Sequence, residues 1–153
     1  MNNEKDNVYD LVEDFYAHDE GWNTLLRQEY AEGFLRMEAW KGKKNSDLYR
    51  SWDNLTMLCL YLGSAETFLV DMNADDFIDC IAWCGRNISE FTPDYKNTQD
   101  FLETCDGLFK YLKGKNAISN DTVPGTAAEI LLQEGKMNII LPDGSRIYLL
   151  KYF

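Results

Sequence analysis

Residues 22–40, WNTLLRQEYAEGFLRMEAW, carry the clearest helical pattern in the chain. Apolar and small side chains recur there at the three- or four-residue spacing of one helix face, and they are Trp22, Leu26, Tyr30, Gly33, Phe34, Met37 and Trp40. Asn23 is a suitable N-cap, and Gly42 follows at the place where a helix end favours glycine. The pattern predicts one amphipathic helix between Asn23 and Gly42.

The same spacing predicts further helices on both sides of this segment. One lies before it, between Asn7 and Gly21, and one lies after it, between Ser46 and Gly63. The earlier helix follows Asn7, whose short polar side chain suits an N-cap. Three helices are therefore expected to fill the first 63 residues.

The middle of the chain is also predicted to be helical, beginning at Asn73. Asn73 is a suitable cap, and Asp75 and Asp76 follow it in the first turn, where the helix dipole favours acids. Phe77 and Ile81 then lie on one apolar stripe. The sequence therefore predicts an amphipathic helix that begins at Asn73.

Two more helices are predicted after the loop at Pro93. The first is capped by Asn97 and ends at Gly114, which suits the left-handed conformation of a helix C-terminus. The second opens with the capping-box pattern Thr126–Glu129 and ends at Gly135. Residues 7–135 are thus expected to be helical.

The C-terminal segment changes from helical to β-type spacing. Residues 137–141 and 146–152 flank the turn sequence Pro-Asp-Gly-Ser at 142–145. Because an isolated hairpin is marginal in water, it must pack on the helices or pair with another strand or another chain. The predicted fold is mainly α, a single domain over residues 1–153: a compact helical bundle of about five to six helices with a C-terminal β-hairpin at 137–152.

The formal net charge of −11 is concentrated in two stretches of the chain. Residues 1–40 hold 10 acids and 3 bases, and residues 71–106 hold 9 acids and 2 bases, so each stretch is −7. Such negative fields steer association with basic surfaces and repel nucleic acid. The predicted partner-binding residues are nine acids in these stretches: Asp10, Glu13, Asp14, Asp19, Glu20, Asp71, Asp75, Asp76 and Asp79.

The compartment and the redox state of the cysteines are predicted from the length of the apolar runs and from the order of residues at the N-terminus. No apolar run approaches the ~20 residues that span a bilayer, and the N-terminus lacks the basic-then-apolar order of a secretory signal. Four cysteines without an export signal are expected to be reduced thiols, and they are Cys59, Cys80, Cys84 and Cys105. We therefore expect a cytoplasmic protein without a membrane partner.

The sequence predicts no catalytic residue, no metal site and no cofactor. The run from Asp71 to Asp75 begins like a calcium loop, but Asp76 replaces the turn glycine and Ala82 replaces the bidentate glutamate. His18 is the only histidine and sits among acids, where a solvated side chain is expected. Recognised nucleotide-binding and hydrolase motifs are also missing from the sequence.

Two segments carry a family resemblance. Residues 69–83, LVDMNADDFIDCIAW, are followed after a loop by residues 101–118, which end in FKYLKGKNAI. In this order they resemble the helical core-binding module of the tyrosine recombinases, over about residues 46–120 of the chain. The resemblance implies a helical DNA-binding fold. The family's modules are basic whereas this stretch is acidic, so no functional residue is carried over.

The function predicted from the sequence is that of a non-enzymatic acidic protein that binds a protein partner with a basic surface. Its sharpest form is an inhibitor that blocks the nucleic-acid site of that partner, and the chain is similar to antirestriction and anti-CRISPR proteins in size and charge. The alternatives are the DNA-binding-like module and a small enzyme that uses a buried carboxylate or cysteine. Homo-oligomerisation through the hairpin is a further alternative, which a truncation after Glu134 without effect on mass or stability would contradict. The charge also has a simpler reading, as a means of solubility.

Overall fold

The computed structural model describes residues 7–18, 21–92, 94–133, 138–140 and 146–148. Seven α-helices lie within these residues: α1 (Val8–His18), α2 (Trp22–Leu25), α3 (Gln28–Trp40), α4 (Asn45–Ala65), α5 (Ala74–Asn87), α6 (Tyr95–Gly114) and α7 (Val123–Gln133). A 3₁₀ turn, Leu69–Asp71, precedes α5. The prediction of a mainly helical protein is therefore confirmed.

Two short strands follow the helices. They are β1 (Asn138–Ile140) and β2 (Arg146–Tyr148), and they pair antiparallel with Ile139 opposite Ile147. The predicted turn at 142–145 and the outer parts of the hairpin lie outside the described residues. The C-terminal hairpin as a whole therefore stays a prediction.

The chain divides into two compact units, which we call the N-terminal unit (Met1–Leu69) and the C-terminal unit (Val70–Phe153). In the N-terminal unit, α1, α2 and α3 all pack against α4. In the C-terminal unit, α7 packs against both α5 and α6. The single domain expected over residues 1–153 stays a prediction. None of the described helices has the length and apolar character needed to cross a membrane.

The core of the N-terminal unit combines an aliphatic layer with an aromatic cluster. The longest helix, α4, buries Leu55, Leu58 and Leu62 completely. Beside them, the Phe15 ring of α1 stacks on Trp22 of α2 with 4.7 Å between ring centroids. The Phe15 ring also meets the Trp52 ring of α4 edge to face, with 5.4 Å between ring centroids. These contacts fix the short α2 between α1 and α4, since aromatic pairs add about 0.5–1.5 kcal/mol beyond their buried area.

The single helix predicted between Asn23 and Gly42 is wrong, because two helices replace it. The backbone of Leu26 is extended, with φ −150° and ψ 114°, between the end of α2 and the start of α3. Leu26 is buried, and its carbonyl oxygen accepts a hydrogen bond from the Tyr16 hydroxyl. The predicted N-cap at Asn23 is wrong as well, because Asn23 lies inside α2 and Arg27 is the N-cap of α3. The Asn23 side chain still accepts a hydrogen bond from the Gln28 backbone N–H, at 2.8 Å.

The C-terminal end of α3 also differs in part from its sequence pattern. Gly42 has the expected positive φ, 105°. Trp40, however, is 87% exposed, although its spacing places it on the apolar stripe. The buried residues of α3 are Ala31, Phe34 and Leu35. Trp40 lies on the opposite side of the helix from these three residues, so the predicted stripe does not extend to it.

The predicted end of α6 at Gly114 is confirmed, but its N-cap is corrected by three residues and its left-handed residue by two. The N-cap is Asp94, not Asn97, because the Asp94 carboxylate accepts from the Asn97 backbone at 2.8 Å. At the other end, the left-handed residue is Asn116, with φ 60°, and not Gly114. Asparagine tolerates this conformation better than most residues, so it replaces glycine there.

The last helix begins earlier than its capping-box pattern predicts. α7 starts at Val123, and the backbone N–H of Thr126 already donates to the Thr122 carbonyl at 2.9 Å. Pro124 lies in this first turn, where the missing N–H of proline costs nothing. The predicted end at Gly135 lies outside the described residues.

The predicted start of α5 is confirmed by a complete capping box. The Asn73 side chain accepts from the Asp76 N–H at 2.9 Å, and the Asp76 carboxylate accepts from the Asn73 N–H at 2.9 Å. We expect Asn73→Ala to lower the free energy of unfolding by about 1 kcal/mol, because the Asp76 N–H, an orphan helix donor, loses its partner. Urea denaturation measures this. Asn45→Ala is the control, since Asn45 is exposed, and an equal loss in both variants would contradict the assignment.

Candidate functional site

The first candidate surface lies on α1 and comprises Asp10, Glu13 and Asp14, which we call the α1 acidic stripe. All three side chains are exposed, on the face away from the buried Val8 and Val12. Side chains three and four residues apart are neighbours on a helix, so the three carboxylates form one continuous patch. No described basic side chain forms an ion pair with any of them.

The second candidate surface lies at the start of α5 and comprises Asp71, Asp75 and Asp79, which we call the α5 acidic cluster. Asp71 belongs to the 3₁₀ turn, and Asp75 and Asp79 are four residues apart on α5. All three are exposed and make no ion pair with a described basic residue. Asp76 is different, because it is half-buried and its carboxylate is engaged in the capping box.

The remaining two predicted partner-binding residues, Asp19 and Glu20, lie outside the described residues. Their part in a partner-binding surface stays a prediction.

Helix stability accounts for only some of these acids. Asp10 and Asp75 lie in first turns, where the helix dipole favours them. Glu13, Asp14 and Asp79 lie beyond the first turn, where neighbouring like charges cost about 0.2–0.5 kcal/mol per pair. These carboxylates do not stabilise their own helices and are free to meet an external cation.

The histidine and the thiols differ in exposure, because His18 is exposed and the four cysteines are buried. His18 is exposed at the end of α1, where its Nδ1 lies 2.7 Å from the Asp14 carbonyl oxygen. All four cysteines are buried free thiols. Burial raises the pKa of Cys59 to about 12 and that of Cys80 well above its usual range. These two thiols are therefore protonated and inert at neutral pH, and the described residues include no group of three or more ligands suited to a metal ion.

A third candidate was not predicted: a cleft of about 740 Å³ in the C-terminal unit, between α6 and α7. Its α6 wall is a polar stripe formed by Gln99, Glu103, Asp106 and Lys110. Asp121 before α7 and Glu129 on α7 also line the cleft. Among the described lining residues, four carboxylates therefore face one ammonium group.

The carboxylates of this α6–α7 cleft differ in how they are paired. Asp106 binds the Lys110 ammonium at 2.6 Å, and Asp121 lies 3.8 Å from the Lys113 ammonium. Glu103 accepts only a long hydrogen bond from the Gln99 amide, at 3.3 Å, and has no described basic partner. Glu129 likewise has no described basic partner.

The rest of the cleft is lined by small or apolar residues and by three threonines, Thr98, Thr122 and Thr126. Leu102, Pro124 and Leu131 line it together with Ala128. Thr98 also lines the cleft and is 2% exposed, and its Oγ1 has no hydrogen-bond partner among the described residues. Apolar walls with a few polar groups are typical of sites for small organic ligands.

Only one wall of the cleft has a pattern that is recognisable in the sequence. Gln99, Glu103, Asp106 and Lys110 have the spacing of one helix face, which predicts a polar stripe on α6. The sequence does not show that α7 lies opposite this stripe, because that depends on tertiary packing.

No protein-family model, no curated protein and no solved structure matches this chain. The resemblance to the core-binding module of tyrosine recombinases gains no support from these comparisons.

Proposed function

We propose that this protein is a non-enzymatic acidic protein that binds a basic surface of a partner protein. The observation that supports this most strongly is the presence of six exposed carboxylates, in the α1 acidic stripe and the α5 acidic cluster, that no described basic residue neutralises. Each of the two surfaces offers a dense negative patch by itself. Such patches speed association with positive surfaces and select against wrong partners.

In its sharper form, the proposal is that the partner's basic surface is a nucleic-acid site and that the protein blocks it. Residues three or four apart on a helix face have Cβ atoms about 5–6 Å apart, so the acidic stripe presents a row of closely spaced negative charges, as a nucleic-acid strand does. Lysine and arginine side chains that bind phosphates also bind carboxylates. The formal charge of −11 disfavours direct binding of this protein to nucleic acid. The same proposal places the protein in the cytoplasm, where its buried thiols stay reduced.

The experiment compares two triple variants with equal charge. Asp10→Asn/Glu13→Gln/Asp14→Asn neutralises the α1 acidic stripe, and Glu29→Gln/Glu32→Gln/Asp47→Asn neutralises three acids that are already ion-paired. Each removes three negative charges and changes the formal net charge from −11 to −8. A difference between them therefore reports position and not total charge.

We expect the tagged wild-type protein to retain a basic protein from nuclease-treated lysate at low salt and to release it at high salt. The α1 variant should weaken retention at least tenfold, as measured by quantitative mass spectrometry, because the partner's cations lose their counter-charges. Asp71→Asn/Asp75→Asn/Asp79→Asn tests the α5 acidic cluster in the same way. Equal weakening by the ion-paired control variant, or retention that salt does not change, would contradict the proposal.

A further inference from the structure

We propose that the α6–α7 cleft binds a small organic cation, that is, an apolar or aromatic body carrying a protonated amine. The cleft shares no residue with the α1 acidic stripe or the α5 acidic cluster. This inference therefore goes beyond the proposed function, and either can fail without the other.

The dimensions and walls of the cleft suit a small molecule. Its volume of about 740 Å³ lies within the range of roughly 300–1,000 Å³ found for ligand pockets. Leu102 and Leu131 are 5% and 3% exposed and present an apolar surface to the cleft together with Pro124. An apolar or aromatic ligand body would gain from contact with these side chains.

The charged residues of the cleft favour a ligand with a positive charge. Lys110 and Lys113 partly neutralise Asp106 and Asp121, which leaves Glu103 and Glu129 without a described basic partner. An ammonium group in the cleft would form charge-assisted hydrogen bonds with these carboxylates, which are roughly twice as strong as neutral ones. A carboxylate ligand of the same shape would instead meet repulsion from both helices.

Thr98, in the cleft wall, carries an unsatisfied polar group. Nearly all buried polar groups in native proteins have a hydrogen-bond partner, yet the buried Thr98 hydroxyl has none among the described residues. Leaving such a group unsatisfied lowers stability. Its oxygen is closed off from solvent, so a ligand would reach it only after the side chain turns towards the cleft.

The first test compares two probes that differ only in the sign of their charge. Tryptamine and indole-3-propionate share the indole ring and a two-carbon chain, which ends in an ammonium group in one and a carboxylate in the other. We expect tryptamine to bind the full-length protein saturably with one-to-one stoichiometry in calorimetric titration at neutral pH, at least tenfold more tightly than indole-3-propionate. Equal affinities, or no saturable binding of tryptamine at millimolar concentration, would overturn the proposal.

The second test uses variants that assign binding to the cleft. A Cβ atom at Gly125 would lie 3.9 Å from the Asp106 Oδ1, an ordinary contact distance, so a side chain fits there but occupies space between the walls. Gly125→Leu should abolish tryptamine binding while the melting temperature is unchanged or higher, because leucine favours helix more than glycine does. Binding that survives this substitution would show that tryptamine sits elsewhere.

Two double variants that each remove two negative charges distinguish binding in the cleft from attraction by the overall negative charge of the protein. Glu103→Gln/Glu129→Gln should weaken tryptamine binding at least tenfold. Glu13→Gln/Asp14→Asn removes the same two charges from the α1 acidic stripe and should change the affinity less than twofold. Equal weakening by both pairs would mean non-specific attraction of the cation and would overturn the proposal.

Discussion

Replacing Phe77 with alanine is expected to remove about 3–5 kcal/mol from the free energy of unfolding of the C-terminal unit. The Phe77 side chain is completely buried on α5. Its ring meets the Phe109 ring of α6 edge to face, with 5.5 Å between centroids and 70° between planes. Alanine would leave a cavity at this contact, because close-packed neighbours relax only partly into the space.

The matched control for this variant is Trp40→Ala, which also deletes a large aromatic side chain. Because Trp40 is 87% exposed, its loss should change the free energy of unfolding by no more than about 0.5 kcal/mol. Urea denaturation followed by far-UV circular dichroism measures both variants. A large loss for Trp40→Ala with a small loss for Phe77→Ala would contradict the described core.

The second large effect is expected in alkaline solution, where the N-terminal unit should lose stability. Burial raises the pKa of the Cys59 thiol to about 12, from an ordinary value of 9.0. Burial also raises the pKa of Tyr16, with a further contribution from Cys59. Both groups are uncharged when protonated, so the folded state keeps these protons at a pH at which the unfolded chain releases them.

The sign of the pH dependence follows from this difference. The contribution of Cys59 to the free energy of unfolding is fully present below pH 9 and is lost as the pH rises towards 12. The loss is about 1.4 kcal/mol per pH unit and on the order of 4 kcal/mol in all. Tyr16 steepens the fall above its ordinary pKa of 10.0. Urea denaturation between about pH 8 and pH 11, with a reducing agent present, measures the slope.

Cys59→Val is the variant that isolates the thiol, since valine is apolar and of similar size. Its free energy of unfolding should fall less steeply with pH than that of the wild-type protein. The difference in slope should correspond to close to one proton fewer released on unfolding. Identical slopes in the two proteins would show that Cys59 titrates normally and would contradict its burial.

Helix caps are local signals, and the sequence predicted the cap at Asn73 correctly but misplaced those of α6 and α7. The Asn73 capping box depends on residues three positions apart, so the sequence contains everything that determines it. The break at Leu26 instead involves a hydrogen bond from Tyr16, ten residues away, which helical spacing does not reveal. Because apolar spacing continues across the break, periodicity alone predicts one helix where there are two.

The candidate surfaces show the same limit. Charge and helix phase together predict that Glu13 and Asp14 share an exposed face, and they do. Whether such acids are paired depends on which basic residues the fold brings near them, as Lys113 and Asp121 illustrate. The α6–α7 cleft was not predicted, because its two walls lie on two helices and the residue pattern does not show which helices pack together.

The central claim is that the acidic surfaces of this protein occupy a nucleic-acid site on a basic partner. The most direct test uses the captured partner bound to a fluorescent duplex and follows fluorescence anisotropy as this protein is added. We predict that the wild-type protein displaces the duplex completely, and that the α1 variant needs at least tenfold more protein while the ion-paired control variant behaves as wild type. A ternary complex in which the duplex remains bound would contradict the claim.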